Sequence, residues 1–213
     1  MSSDLHYRTS RFEFQVVLDQ LGQKDTVLDI GAGRGDFLAK IAPTVDRAEG
    51  VDLNPSAVIE AKKRGLAVHG TTAAELGLST KFSVVCAFQI MEHLEDVRPL
   101  VESALSCLEP DGRLFLSVPN RNRFRAAFAS EPLDYPPHHM THWSPKQMRR
   151  LAELFDLELV RIWTEPLPVA SLASIVLRRD KAVADLPHRA ASPGALVGRA
   201  RTGHTMLTCF RAR

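Results

Sequence analysis

Glycines and carboxylates are spaced along one stretch of this sequence in a way that suits the binding of a nucleotide. Residues 27–36 hold three alternating glycines, Gly31, Gly33 and Gly35, directly after a short apolar run. Glycine lets a backbone turn sharply and approach a ligand closely. Asp52 lies 21 residues after Gly31, where nucleotide-binding α/β proteins place a carboxylate that binds ribose hydroxyls. We therefore predict a cofactor loop, with a tight turn that binds no ligand as the alternative.

The charges beside this loop distinguish two classes of cofactor. A dinucleotide needs a third glycine where this chain has Asp36, because its pyrophosphate rests on the helix N-terminus. Asp29 precedes the loop, and two carboxylates there would repel a pyrophosphate. They would not repel S-adenosylmethionine, which carries an ammonium and a sulfonium and no phosphate. The charges therefore favour S-adenosylmethionine over NAD.

Strand-like and helix-like patterns alternate along the chain and would position this loop. Strands are predicted over residues 26–30, 48–53, 66–69, 82–88, 114–118, 157–163 and 205–210. This alternation predicts an α/β fold with a doubly wound sheet and right-handed crossovers. In such sheets ligands bind beyond the carboxyl ends of the strands, so the loops after strands one, two, four and five are the candidate site.

Helix boundaries follow from capping residues. A capping box at Ser10 begins the first helix, and Asn54 begins the helix that ends at Gly65. A turn is predicted over residues 110–112, after an amphipathic helix at residues 97–108. Another helix begins at Ser144–Pro145, with its apolar face formed by Met148, Leu151, Leu154 and Phe155.

Length and composition predict one domain of 213 residues with a formal net charge of +2. We divide it into an N-terminal helix (1–25), a cofactor-binding core (26–163) and a basic C-terminal extension with the last strand (164–213). From Arg161 onward the chain carries nine basic and three acidic residues, which fits either a solvated surface or an anionic partner. The distant cysteines, the polar first ten residues and the absence of an apolar spanning stretch predict a cytoplasmic protein without stable membrane insertion.

Several blocks of the sequence, taken in order, resemble the class I S-adenosylmethionine-dependent methyltransferases. After the glycine loop come Gly50-Val51-Asp52, then Met91-Glu92-His93-Leu94 at the end of strand four, then the turn into strand five at residues 108–114. The resemblance covers roughly residues 27–163 and the final strand, and the ordered set is more specific than any one block. It implies a Rossmann-like sheet of seven mostly parallel strands, with the last strand antiparallel to the rest.

The resemblance also implies S-adenosylmethionine as the cofactor and assigns its contacts. Asp29 and Gly31 would meet the methionyl end, and Gly33 belongs to the same loop. Asp52 would hold the ribose, and Leu53 would pack on the adenine.

Three further residues complete the implied cofactor set. Thr72 stands where many relatives have an acid, so its hydroxyl or a backbone carbonyl would accept the adenine amino group. Ala73 follows it in the same block. Gln89, where strand four ends, would face the methionyl group or the substrate.

Residues 133–143 hold three histidines and two aromatic side chains in a segment stiffened by two prolines. The segment resembles a stretch found before a helix in a subset of small-molecule and sugar-type methyltransferases, and His139 matches its histidine. An alcohol or phenol must lose a proton when it is methylated, and a neutral imidazole near pH 7 suits that task. We therefore predict His139 as the catalytic base, with His142 as the second candidate.

Alternatives remain for these residues. His138 and His142 would share a helix face and bind a metal ion, but Pro137 opposes a helix and only Asp134 adds a nearby carboxylate, so we expect no metal. The histidines could instead order the loop, and Trp143 is more often a core residue than a substrate platform. For Glu92 and His93, a purely structural role is as well supported by the sequence as a role in the site.

The sequence therefore predicts an enzyme that methylates a small molecule, with oxygen as the favoured acceptor atom. Sugar or glycan precursors and small aromatic or quinone-like metabolites fit. The alternatives are a catalytically silent cofactor-binding domain that supports a partner, and an NAD-dependent reductase. Arg121 and Arg125 would share a helix face and hold an anionic group, or simply be solvated. We expect no nucleic-acid partner, and the sequence does not set the oligomeric state.

Overall fold

The computed structural model of this protein describes residues 11–77, 80–122, 135–166 and 203–212. Seven strands form one sheet within these ranges. They are β1 Thr26–Ile30, β2 Arg47–Val51, β3 Ala67–His69, β4 Phe82–Phe88, β5 Leu108–Pro119, β6 Leu157–Thr164 and β7 Thr205–Ala212. The helices are α1 Phe12–Leu18, α2 Asp36–Ile41, α3 Pro55–Lys63, α4 Ala73–Gly77, α5 Arg98–Ser106 and α6 Pro145–Leu154, with a short 3-10 helix at Met91–His93.

The strands lie in the order β3-β2-β1-β4-β5-β7-β6. Strands β1 to β5 are mutually parallel, and β7 runs antiparallel between β5 and β6. The predicted doubly wound, mostly parallel sheet with an antiparallel last strand is therefore confirmed. The order reverses between β1 and β4, and parallel α/β sheets bind ligands beyond the carboxyl ends of strands at such a switch point.

Neighbouring residues along each central strand face opposite sides of the sheet and build two separate cores. Leu28, Val85 and Leu116 belong to the core that α5 and α6 cover. Their sequence neighbours Val27, Val84 and Phe115 belong to the core covered by α1, α2 and α3. Strand β4 is almost wholly buried, as its continuous apolar run predicts for a central strand with helices on both faces.

Capping residues explain one correct helix boundary and one wrong one. Asn54 caps α3 as predicted, because its side-chain oxygen accepts hydrogen bonds from the amides of Ser56 and Ala57. The predicted capping box at Ser10 is wrong, since the residue that caps α1 is Arg11 and its side chain makes no capping bond. Glu13 is therefore one position too early for the box and instead pairs with Arg11, with Nε and Oε1 3.0 Å apart.

Two other local predictions also differ from the structure. The turn predicted over residues 110–112 is built into β5 as a bulge, where Asp111 has a φ of 60° and the pairing with β4 shifts register. Leu154 does not lie on the buried face of α6: it is 65% exposed, whereas Met148 and Leu151 are buried. Leu154 is the last residue of α6, and Phe155 directly after it packs against the core instead.

Two predictions fall outside the described residues: the helix shared by Arg121 and Arg125, and the carboxylate of Asp134. Of these, Arg121 itself is described, in a turn directly after β5. Cys86, Cys107 and Cys209 are buried free thiols. None of the helices within the described ranges is long and apolar enough to cross a membrane.

Candidate functional site

The glycine loop follows β1 and keeps a conformation that suits glycine. Gly31, Gly33 and Gly35 have φ values of 74°, 55° and 77°, a region that other residues rarely adopt. The amides of Gly31 and Ala32 donate to the carbonyl oxygen of Val51 at 2.8 and 3.1 Å. The loop is thereby tied to the carboxyl end of β2, next to Asp52.

Gly50 in β2 allows the loop and α2 to pack closely on the sheet. A Cβ atom added there would lie 2.5 Å from the Cβ of Ala32 and 2.9 Å from Cδ1 of Leu38. Real Cβ atoms do not come so close, so a larger side chain would displace the loop or the helix. The residue two positions before Asp52 therefore helps to place the loop that Asp52 contacts.

The carboxylate of Asp52 is oriented by two backbone amides. Its Oδ2 accepts from the amide of Gly33 at 2.7 Å, and its Oδ1 accepts from the amide of Asn54 at 2.8 Å. Each carboxylate oxygen has a second lone pair, so the group keeps capacity for two ribose hydroxyls. The arrangement joins two predicted cofactor residues, Gly33 and Asp52, which are distant in sequence.

Asp29 lies at the same edge of the sheet but in a different environment. It is 4% exposed, and its Oδ1 has no hydrogen-bond partner among the described residues. Burial raises the pKa of this carboxyl group to about 8, opposed by Arg11 and assisted by the carboxylate of Asp52. A buried oxygen of this kind needs a donor, and an ammonium group such as that of S-adenosylmethionine would supply one. The donor set therefore fits S-adenosylmethionine better than a phosphate-bearing cofactor.

The predicted adenine residues lie after β2 and β3. Leu53 is 73% exposed, so it presents an apolar surface on which an aromatic base can pack. Thr72 is also exposed, but it caps α4: its Oγ1 accepts from the amide of Glu75, and its amide donates to Oε2 of Glu75. Ala73 is buried at the start of α4. The contact of Thr72 with the adenine amino group stays a prediction, and its hydroxyl oxygen already accepts one bond.

Gln89 is held where β4 ends. Its φ is 56°, and its Nε2 donates to Oγ of Ser117 in β5 at 3.2 Å. The next residue, Ile90, lies against the glycine loop, since a Cβ on Gly31 would be 2.4 Å from its Cδ1. The ends of β1 and β4 are thus in direct contact.

Three histidines come together at the ends of β4 and β5. One ring nitrogen from each of His93, His138 and His139 lies within 4.8 Å of the others. The ring centroids are 5.0 Å apart for His93–His138, 5.1 Å for His93–His139 and 4.9 Å for His138–His139. We call these three residues the histidine cluster. The predicted base His139 belongs to it and is 9% exposed.

His142, the second predicted base, lies outside the histidine cluster. It is exposed, and its ring packs against Tyr135 with the centroids 5.9 Å apart. The alternative in which His138 and His142 share a helix face, which Pro137 already opposed, does not occur, because this segment forms a turn and then irregular structure. Sequence reasoning left His93 with a structural alternative and did not place it beside His138, since that contact spans 45 residues.

Residues 135–143, which we call the histidine segment, are anchored by hydrogen bonds to the residues that follow β4. The amides of Met140 and Thr141 donate to the carbonyl oxygen of Glu92 at 2.7 and 3.2 Å. Thr141 Oγ1 donates to the carbonyl oxygen of Met91 at 2.9 Å and accepts from Nε1 of Trp143 at 2.9 Å. Trp143 is buried, which agrees with its interpretation as a core residue.

Glu92 places a carboxyl group behind the histidine cluster. It is 2% exposed, and burial raises its pKa to about 7. Its Oε1 lies 3.9 Å from Nε2 of His93, and its Oε2 has no partner among the described residues. The sequence did offer one indication of this contact, the pair Glu92–His93 directly after β4. The carboxyl ends of β4 and β5 adjoin, so residues that follow these two strands can meet.

Comparison with known proteins identifies the family. The profile of a methyltransferase domain family matches residues 5–162. A ubiquinone biosynthesis O-methyltransferase of Haemophilus ducreyi is 34% identical over 107 residues, which cover 45% of each chain. The corresponding protein of Bradyrhizobium diazoefficiens is 30% identical over 126 residues, which cover 56% of this chain and 48% of the relative. The chain thus spans about half the length of the curated relatives it matches.

Solved structures show the same fold at low sequence identity. A SAM-dependent methyltransferase from Archaeoglobus fulgidus superposes with a TM-score of 0.67 at 18% identity, over 93% of this chain and 94% of that one. Coclaurine N-methyltransferase bound to N-methylheliamine and SAH superposes with a TM-score of 0.59 at 15% identity, over 93% of this chain and 72% of that one. Because the family profile spans residues 5–162, the chain belongs to the methyltransferase domain family, whose class I members use S-adenosylmethionine.

Proposed function

We propose that this protein transfers the methyl group of S-adenosylmethionine to a hydroxyl oxygen of a small aromatic or quinone-like molecule. One observation carries the proposal: the oriented carboxylate of Asp52 and the histidine cluster lie at the same edge of one sheet, beyond the carboxyl ends of β2, β4 and β5. That arrangement supports a cofactor site next to groups able to take a proton. The names of the curated relatives, ubiquinone biosynthesis O-methyltransferases, support a ring hydroxyl as the acceptor.

The cofactor residues act through binding and orientation. When bound, S-adenosylmethionine supplies a methyl group already activated on a sulfonium, so the protein mainly aligns the reactants. Asp52 holds the ribose hydroxyls, while Asp29 and the backbone of Gly31 and Gly33 meet the methionyl end. Leu53 packs on the adenine ring, and the amino edge of the adenine lies near Thr72 and Ala73. Gln89 faces the methionyl group from the end of β4.

The histidine segment removes the proton. An imidazole nitrogen of His139 would accept the proton of the acceptor O–H. Bound S-adenosylmethionine would supply the methyl group to the acceptor oxygen, and S-adenosylhomocysteine would leave with the electron pair of the broken carbon–sulfur bond. The burial of His139 within the histidine cluster supports this role over His142, which is exposed and remains the second candidate.

The first experiment is calorimetric titration of the full chain with S-adenosylmethionine, S-adenosylhomocysteine and NADH. We expect the first two to bind with micromolar dissociation constants and NADH not to bind. Absence of binding by a folded protein would contradict the proposal and favour a silent domain that supports a partner.

The second experiment assigns the acceptor. Transfer of a labelled methyl group is measured to a panel of catechols and hydroquinones, and to sugars and glycan precursors as the competing class. We expect turnover with a ring hydroxyl and its loss in His139→Ala, with a smaller decrease in His142→Ala. Turnover with sugars alone would refute the aromatic acceptor while leaving methyl transfer intact.

A further inference from the structure

The histidine cluster has the composition and arrangement of a metal site. Imidazole nitrogens are ligands that Zn²⁺, Co²⁺ and Ni²⁺ prefer, and three protein ligands with one open position are typical of reactive zinc sites. From this geometry we propose that His93, His138 and His139 bind one divalent transition-metal ion. The inference goes beyond the proposed function, because binding of the ion does not depend on methyl transfer.

The distances within the histidine cluster are close to those required. Zinc–nitrogen bonds of about 2.0–2.1 Å in a tetrahedron place the nitrogens about 3.4 Å apart. One ring nitrogen from each of the three histidines already lies within 4.8 Å of the other two. The remaining difference is at most about 1.4 Å, a distance that rotation of the imidazole rings about χ1 and χ2 can span.

A hydrogen bond fixes the tautomer that a metal ligand needs. The Nδ1 of His93 lies 2.7 Å from the backbone carbonyl oxygen of His138, and a carbonyl oxygen only accepts, so Nδ1 carries the proton. The Nε2 of a neutral His93 therefore presents a lone pair. Metal-binding histidines in proteins commonly donate their other N–H to a backbone carbonyl in this way.

The carboxyl group of Glu92 faces the same nitrogen. Its Oε1 lies 3.9 Å from Nε2 of His93, so two acceptor atoms point toward each other across a gap. Glu92 is 2% exposed and its Oε2 has no partner among the described residues. A cation between these groups satisfies both, and Glu92 then serves as a fourth ligand or as an outer contact.

This inference revises the expectation of no metal ion that came from the sequence. That expectation weighed His138 against His142, whereas the fold supplies His93 from the end of β4 instead. The base role proposed above for His139 applies to the metal-free chain, because a ring nitrogen bound to an ion accepts no proton. With the ion bound, His142, which lies outside the cluster, is the remaining candidate base.

The test is titration of the full chain, stripped of metal with a chelator, with Co²⁺ and Zn²⁺ in the absence of S-adenosylmethionine. We expect one ion per chain, with the visible absorption of tetrahedral Co²⁺. His93→Ala and His138→Ala should each weaken binding by about 100-fold, at or beyond the upper end of losses seen for outer-shell contacts. Matched controls are His142→Ala and His69→Ala, since His69 is also a histidine paired with a glutamate, at 2.8 Å from Glu49.

Each outcome bears on the proposal. Because His93→Ala also removes the bond to the carbonyl of His138, the folded state of every variant is checked by circular dichroism, and His138→Ala serves as the second variant. No binding by the folded chain, unchanged affinity in both cluster variants, or equal loss in the controls would overturn it. Failure of methyl transfer alone would contradict the proposed function and leave the metal site standing.

Discussion

The glycine loop and the histidine segment sit at the same edge of the sheet, but they are built by different forces. In the glycine loop the conformation is local: three positive φ values within five residues create the turn, and Asp52 orients it through the amide of Gly33. In the histidine segment the conformation is imposed from a distance. It is held to the end of β4 by the carbonyl oxygens of Met91 and Glu92, which lie about 50 residues earlier.

This difference teaches which half of the site tolerates change. A local turn is specified by residue types, so a single substitution there alters both the backbone and the cofactor contact. A segment held by distant backbone acceptors can lose one anchor and keep the rest. We therefore expect cofactor affinity to depend on the glycine loop and to be insensitive to the histidine segment. Four predictions test this comparison.

The largest expected effect is that of Asp52→Ala on cofactor affinity. The variant loses the proposed ribose contacts, the bond from the Gly33 amide that ties the loop to Asp52, and the bond from the Asn54 amide. Hydrogen bonds to a charged group contribute about 1.5–3 kcal/mol each, so calorimetry should show affinity for S-adenosylmethionine weakened about 100-fold or more. Asp46→Ala, at an exposed aspartate, is the control. A loss below tenfold would exclude Asp52 as the ribose ligand.

Gly50→Ala should destabilise the glycine loop through packing alone. Its Cβ would lie 2.5 Å from the Cβ of Ala32, so the loop must move. Overpacking of this kind costs about 1–3 kcal/mol, measured as a decrease in the free energy of unfolding in urea, and cofactor affinity should decrease with it. Gly22→Ala, whose Cβ would meet only Oδ2 of Asp25 at 3.8 Å, should change neither quantity. Full cofactor affinity in Gly50→Ala would show that the loop does not depend on this contact.

Thr141→Val should have a comparable effect on stability and none on cofactor binding. It leaves the carbonyl oxygen of Met91 and the Nε1–H of Trp143 without their partner, which costs about 2 kcal/mol. We expect the affinity for S-adenosylmethionine to stay within about twofold. Thr141→Ser keeps the hydroxyl and serves as the control. A loss of cofactor affinity in Thr141→Val would contradict the expectation that cofactor binding is independent of the histidine segment.

The smallest effect is a proton released when the cofactor binds. The pKa of Asp29 is about 8, so at pH 7 its carboxyl group is mostly protonated, and an ammonium beside it favours the ionised form. Binding should then release most of one proton at pH 7, and affinity should rise with pH until about pH 8 and level off above it. Calorimetry in buffers of different ionisation enthalpy measures the release. Asp29→Asn should abolish it, and an equal release in that variant would refute the assignment.

Sequence reasoning succeeded where a short stretch determines its own structure. The apolar run of β4 gave the bounds of that strand, Phe82–Phe88, because a strand buried on both faces needs no alternation. Asn54 gave the start of α3, because its side chain bonds amides only two and three residues away. The order of the glycine loop and Asp52 also followed from spacing, and the structure brings Gly33 and Asp52 into contact.

Sequence reasoning failed where a residue's contact lies far along the chain, or where two local rules favour different structures. Nothing in residues 133–143 indicates that His93 replaces His142 beside His138, because that contact depends on how β4 and β5 pair. The capping box failed since Arg11, and not Ser10, precedes the first helical residue. The turn at residues 110–112 became a bulge because strand pairing with β4 extends past it.

The position of β7 has a consequence for the order in which the protein can be made. Its residues, Thr205–Ala212, pair with β5 on one side and β6 on the other, although both strands precede it in the sequence. A ribosome therefore delivers β6 before the strand that joins it to the sheet exists. Until β7 emerges, both β5 and β6 present unpaired backbone edges of the kind that invites aggregation or chaperone capture. The sheet that contains β1 and positions the glycine loop is therefore complete only after β7 has been synthesised.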